Sequence, residues 1–116
     1  MNNSPLTVID IAENISTEDN YQNIPVAGVN DHVVRLSIMT EPYYWHFHPD
    51  SDETFLVIEG IVIIELEDRV IELLPNQLFT IPNNVIHRTL PKGSRSVNLT
   101  FESAKLTTTK VERPTI

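Results

Sequence analysis

The chain has 116 residues, 16 acidic against 8 basic, a formal charge of -8 and no cysteine. Such a length suits one domain that buries about two thirds of its unfolded surface, and an acidic balance with no Lys/Arg cluster argues against nucleic acid and anionic lipid as partners. The lack of cysteine excludes disulfides, zinc-thiolate sites and thiol nucleophiles, while no apolar run approaches the roughly 18 residues of a membrane span and the first residues lack the basic and apolar regions of a secretory signal, so a cytoplasmic protein is expected.

Residues 1–31 read as an N-terminal extension with a short strand or helix. Asp10 to Ile15 has room for one or two helical turns, and Asn23 to Val29 reads as a short strand, with Pro25 favouring a sheet edge because it cannot donate to a ladder. Asn30 and Asp31 make a turn, and the barrel core is expected over 32–102. In His32 to Thr40, Val34, Leu36 and Ile38 alternate with Arg35, Ser37 and Met39, the period of a strand. Glu41 and Pro42 break it.

The next stretch, YYWHFHPDSDETFLVIEG from Tyr43 to Gly60, organises the rest. In an extended chain His46 and His48 leave one face while Trp45 and Phe47 leave the other. Pro49 to Asp52 form a turn run, and Glu53 opens the β-rich segment Thr54 to Ile58, so a returning strand can set this carboxylate beside the two imidazoles. Later, Thr80 to His87 reads as strand, tight turn, strand, which brings His87 to the same place. Three imidazoles and a carboxylate suit a divalent transition ion, Mn, Fe, Co, Ni, Cu or Zn, better than Ca or Mg. A pair of histidines one residue apart also lines many wet surfaces; the pattern gains weight because 3 of the chain's 4 histidines fall at positions one barrel can gather.

Beyond Glu53 the chain is a string of short strands: Glu53 to Glu59, Ile61 to Leu66, Val70 to Leu74, Leu78 to Ile81, Ile86 to Leu90 and Ser96 to Phe101. With no helix-length periodicity between them, this spacing indicates an all-β barrel or sandwich. Residues 103–116 read as a polar tail or an edge strand. Leu56 and Ile58 share one strand face, Phe55 and Val57 the other, and Ile61 to Ile64 is apolar at every position, so the outer face is expected to be covered. Either a second subunit, joined by Trp45 and Phe47, or the N-terminal segment supplies the cover.

On these residues the chain resembles a small single-domain cupin. That family's first motif runs Gly, five residues, His-x-His, three or four residues, Glu, six residues, Gly; His46, His48, Glu53 and Gly60 stand at that spacing, with Thr40 in place of the opening Gly. The second runs Gly, five residues, Pro-x-Gly, two residues, His, three residues, Asn; Pro82 and His87 match, whereas Asn76 and Asn84 replace the glycines and Pro91 replaces the Asn. Asn is the residue besides Gly that best tolerates positive φ, so both turns are expected to survive.

The resemblance implies a double-stranded β-helix (jelly-roll) barrel, His46, His48, Glu53 and His87 as ligands of one divalent transition metal, and a homodimer. Ligating imidazoles should donate their second nitrogen to a neighbouring acceptor. Tyr44, sharing the parity of His46, is expected at the pocket mouth, Phe79 and Ile81 on its apolar wall, and Thr89 as a hydroxyl; ordinary core is the alternative for each. Arg35 either meets an anionic substrate or lies on the surface, and His32 is expected in solvent. The fold leaves the reaction open: a metal-dependent enzyme of dioxygenase or isomerase type acting on a small molecule, a non-catalytic module or sensor holding a sugar or carboxylate, or a structural dimeric barrel. No general acid or base stands out among Tyr43, Tyr44, Asp50 and Asp52.

Overall fold

The computed structural model describes residues 5–18 and 20–114. Positions 1–4 and 115–116 of the expected extension and tail, and residue 19 in the polar connection before the first strand, lie outside the described residues. The fold is all-β apart from one turn of helix, α1 (Ile11–Asn14), capped by the Asp10 side chain on the Glu13 amide. No helix among the described residues is long and apolar enough to cross a membrane.

Ten strands follow: β1 (Gln22–Val29), β2 (His32–Met39), β3 (His46–Phe47), β4 (Glu53–Glu59), β5 (Val62–Leu66), β6 (Val70–Leu73), β7 (Leu78–Ile81), β8 (His87–Pro91), β9 (Ser96–Ser103) and β10 (Thr109–Lys110). They form two five-stranded sheets, in the orders β1-β2-β9-β4-β7 and β10-β3-β8-β5-β6, with every pairing antiparallel. Apart from the β1–β2 and β5–β6 hairpins, successive strands switch between the sheets, which closes the jelly-roll double-stranded β-helix. The first sheet begins before residue 32, since β1 pairs with β2 from Gln22 to Val29 with a bulge after Pro25. The tail contributes β10 as an edge strand beside β3.

Two apolar clusters divide the interior. One lies between the sheets and unites Met39, Phe55, Val57 and Ile81 of the first sheet with Val62, Ile64 and Leu73 of the second. The other lies on the outer face of the first sheet, where Val26, Leu36, Ile38, Val97 and Leu99 pack with Val34, Leu56 and Ile58 beneath Ile9, Ile11 and Ile15. The N-terminal segment is therefore the cover for that face, and the apolar residues on both sides of β4 need no second subunit to explain them. Trp45 is likewise buried within the chain, with the Arg88 guanidinium 5.4 Å from its ring centroid.

The two-residue period of β2 and β9 then has an unusual result. The apolar set (Leu36, Ile38, Val97, Leu99) faces outward under its cover, so the alternate residues Arg35, Ser37, Asn98, Thr100 and Glu102 are turned inward. At one end, then, the space between the sheets is walled by polar side chains.

Backbone conformation at the turns follows from residue type. Asn76 (φ 69°) and Asn84 (φ 68°) take the left-handed region in place of glycine. Gly60 (φ 73°) has a second constraint, because a Cβ there would lie 2.7 Å from the Arg95 carbonyl oxygen. Gly60→Ala is thus expected to cost about 2 kcal/mol or more, whereas Asn84→Gly should change stability by only a few tenths; urea unfolding of both variants against the parent chain measures the difference.

Candidate metal centre

His46 is the register partner of His87 across β3 and β8, so the two imidazoles leave the second sheet side by side with ring centroids 4.2 Å apart. His48 follows two residues on from the same face, its centroid 4.8 Å from that of His46 and 5.5 Å from that of His87. Glu53 starts β4 in the opposite sheet and reaches across, with Oε1 3.3 Å from His48 Nε2 and 3.6 Å from His87 Nε2. All four residues are buried, and their candidate donor atoms lie within 4.8 Å of one another. The loops carrying them are laced together: the Asn84 amide donates to the His48 carbonyl (2.9 Å) and the Asn83 amide to Asp52 Oδ1 (2.8 Å).

The decisive detail is the second nitrogen of each ring. Nδ1 of His46 meets the Tyr44 carbonyl, Nδ1 of His48 the Thr107 carbonyl (2.9 Å), and Nδ1 of His87 the Val85 carbonyl (2.8 Å). A carbonyl oxygen only accepts, so each Nδ1 carries the proton and a neutral ring presents a bare lone pair at Nε2. His48 Nε2 and His87 Nε2 are buried without a hydrogen-bond partner. Two ring nitrogens therefore face a carboxylate oxygen inside a desolvated cup, an arrangement that calls for a positive charge between them, either a proton on one ring or a metal ion. Donors about 2.1 Å from a common ion lie roughly 3 to 4.2 Å from one another, which is the range of the contacts Glu53 makes. The residues present fit a divalent transition ion.

The charges follow from the same geometry. Burial, then the adjacent His87 ring, push His46 down to about 4. Burial alone would lower His48 as well, but the Glu53 carboxylate outweighs it and raises this histidine above its ordinary value. Burial would raise Glu53, yet its contacts with His48 and His87 hold it below the usual carboxylate range. Glu102, beside it on β9, goes the other way: burial, then a hydrogen bond to the Glu53 carboxylate, push it up to about 8. Of this carboxyl pair Glu53 is ionised and Glu102 holds the proton near neutral pH.

His46, His48 and Glu53 line a cavity of about 390 Å³, with His87 buried behind them. Thr89 lines it, as the sequence suggested, but three other expected wall residues do not. Tyr44 is 59% exposed and holds its ring 3.8 Å from the Lys110 ammonium, outside the cavity. Its neighbour Tyr43 faces inward instead, edge-on to His46 with centroids 5.0 Å apart. Parity fails here because regular strand begins only at His46, and the preceding segment is turned by the bond from the Tyr43 amide to the Thr89 carbonyl (2.9 Å). Phe79 and Ile81 belong to the core between the sheets: β7 is the edge strand beyond β4, so Phe55, paired with Phe79, takes the wall position. His32 lies exposed against Asp31, as expected.

Residues from outside the motifs complete the site. Glu102 is 5% exposed and lines the cavity with Arg35, the latter supplied by β2. The inward turn of β9 matches the alternation Ser96, Asn98, Thr100, Glu102, a pattern that by itself reads equally well as a solvent-facing strand face. The segment after β9 closes over the mouth with Ala104, Leu106 and Thr108. Asp50 pins this segment by accepting from the Thr107 amide (3.0 Å) and hydroxyl (2.8 Å), interactions that also lower the Asp50 pKa. The same Thr107 supplies the carbonyl that orients His48.

These positions make a family comparison meaningful. A family model described as "Cupin domain" matches residues 38–101. The chain belongs to the cupin family. It is 40% identical over 96 residues to the uncharacterized protein YdbB of Bacillus subtilis (strain 168), an alignment covering 82% of this chain and 84% of that one. Among solved structures it is similar to a cupin-2 domain protein from Shewanella frigidimarina (28% identity, TM-score 0.77, 83% of this chain and 94% of that one). It is also similar in fold to a double-stranded β-helix protein from Klebsiella pneumoniae (16% identity, TM-score 0.76, 91% and 97% covered).

Two outcomes test this description. Because the folded-state pKa of His46 lies below its unfolded value, the neutral ring supports the fold fully above about pH 6.5, and that support is lost as pH falls toward about 4. Glu53 acts in the same direction at lower pH and His48 opposes both. NMR titration of metal-free protein should find His46 neutral with its proton on Nδ1 until pH falls near 4. Separately, Asp50→Ala should weaken zinc binding roughly tenfold by releasing Thr107 and with it His48, as read by competition against a chromogenic chelator, with the circular dichroism spectrum unchanged.

Proposed function

We propose that this cupin binds one divalent transition-metal ion through His46, His48, Glu53 and His87, drawn from Mn, Fe, Zn, Ni, Co or Cu, and uses it to act on a small oxygen-bearing molecule. One observation carries the reading: three imidazoles donate Nδ1–H to backbone carbonyls while their Nε2 atoms converge on a buried carboxylate. A purely structural barrel has no use for such an arrangement, since it costs desolvation and repulsion with no return.

A bound divalent ion would act as a Lewis acid toward an oxygen of the molecule held beside it. The chain's own residues define what surrounds that oxygen. Glu102 sits next to Glu53 with its carboxyl turned into the cavity, and the Tyr43 phenol faces the same space. Both can donate or accept a proton within reach of a molecule in the cup. Leu106 and Thr108 narrow the mouth and limit the water inside. Proton-moving groups at the site favour an enzyme, of isomerase or dioxygenase type, over a module that merely holds its ligand.

The protein is proposed to work in the cytoplasm, without nucleic-acid or membrane partners, as its acidic charge suggests. A homodimer is proposed on the resemblance alone, since the N-terminal segment already covers the outer face of the first sheet. Protein purified without added metal should carry about one transition ion per chain by elemental analysis, and His48→Ala and Glu53→Gln should each lose it by more than tenfold in affinity while keeping a β-sheet spectrum. Substoichiometric metal in every preparation would refute the reading. Unfolding on chelation would make the ion structural.

A further inference from the structure

Past the four donors the cavity runs across the inner face of the first sheet toward β2 and β1. Its far wall holds Arg35 and Ser37 of β2, Asn23 of β1 and Thr100 of β9. Arg35 is the register partner of Thr100, and Ser37 that of Asn23, so each pair stands side by side on one face. Arg35 is the one Lys or Arg among the described residues that line the cavity. The chain's other paired cations are engaged elsewhere, Arg88 with Glu65, Lys92 with Glu72 and Arg95 with Glu59.

Two features of this wall call for a ligand. The Arg35 guanidinium has a single carboxyl contact, from Nε to Glu102 Oε2 at 3.5 Å, too long for a strong hydrogen bond, and its terminal NH2 groups make no hydrogen bond among the described residues. Beside it, Thr100 Oγ1 is buried with no partner. A guanidinium whose terminal fork is free, at the edge of a desolvated cup and next to an unpaired hydroxyl, matches the two oxygens of a carboxylate. The arginine is only 34% exposed along its side chain, so water satisfies it incompletely.

We infer that Arg35 and Thr100 form a carboxylate subsite, and that the ligand is a small carboxylic acid with an oxygen donor at its other end, directed to the four-donor centre. This inference rests on the metal reading given above and adds the substrate class. The spacing agrees with it. Arg35 stands opposite Thr100 on β9, and Glu53 lies in line with Glu102 two residues further along, so the two ends are two strand intervals and two residues apart, a backbone distance of about 12 Å. Side chains leaning in from both ends shorten that gap to what a ligand of roughly three to six carbons can bridge. The charges agree too. A divalent ion with ionised Glu53 and Arg35 leaves a local positive excess in a chain of net charge -8, which draws a small anion to this mouth rather than to the surrounding surface.

The probes are malate and its uncharged diamide, titrated calorimetrically into zinc-loaded parent protein, Arg35→Gln and Arg35→Lys, with zinc per chain measured after gel filtration and folding checked by circular dichroism. Malate should bind the parent protein at least tenfold more tightly than malamide. Arg35→Gln should lose ten- to hundredfold of malate affinity with its zinc content and malamide affinity unchanged. Arg35→Lys, which keeps the charge but not the fork, should lie between them and keeps the test valid if the glutamine variant misfolds. Zinc bound as expected, with malate no better than malamide or with Arg35→Gln indistinguishable from the parent, would overturn the carboxylate subsite and leave the metal reading standing. Failure of the parent protein to hold zinc would overturn both.

Discussion

Three backbone carbonyls, those of Tyr44, Val85 and Thr107, accept the Nδ1 protons of His46, His87 and His48, and the chemistry of the molecule depends on those contacts. Each bond fixes a ring angle, so that Nε2 of His48 and of His87 is turned toward Glu53. Because the acceptors belong to the backbone, the orientation is as rigid as the fold. Two of the carbonyls lie only two residues from the histidine they hold. The third is supplied by the segment after β9, which makes His48 answerable to the C-terminal part of the chain.

That segment is tied down in turn. Asp50 accepts both the amide and the hydroxyl of Thr107, the Ser103 amide donates to the Ser51 hydroxyl (3.0 Å), and the Val111 amide donates to the Trp45 carbonyl (2.9 Å). The acidic turn after the His-x-His pair thus serves as an anchor, not as a source of catalytic carboxylates. Asp52, bonded to the Asn83 amide, has the same kind of duty. The titratable groups that do face the cavity are Glu102 and Tyr43.

The distribution of polarity across the first sheet explains how a small barrel can hold so polar a cup. Its apolar contacts are made in two places, between the sheets and beneath the N-terminal segment. With Leu36, Ile38, Val97 and Leu99 buried outside, the inward positions of β2 and β9 are free to carry Arg35, Ser37, Thr100 and Glu102. Burying such groups is unfavourable unless they are paired. Part of the pairing is incomplete among the described residues, where the Thr100 hydroxyl and Nε2 of His48 and His87 have no hydrogen-bond partner.

Much of this was legible in the chain. Spacing along one strand puts His46 and His48 on one face, and the turn residues between the short β segments let Glu53 and His87 start strands near them, while the choice of a barrel over a sandwich rests on the resemblance of the motifs to a cupin. Asn76 and Asn84 took the left-handed turns their side chains allow. The rest depends on which side of each strand faces in, and alternation alone cannot say that. Polar residues on β2 and β9 read as solvent-facing until the N-terminal segment is seen covering the opposite face. Tyr43 and Tyr44 exchanged places because a long-range bond from the Tyr43 amide to the Thr89 carbonyl turns the chain just before β3. Local sequence specifies periods and turns; inside and outside are assigned only when distant segments pack, because burial is a property of the assembled sheets and not of any one strand.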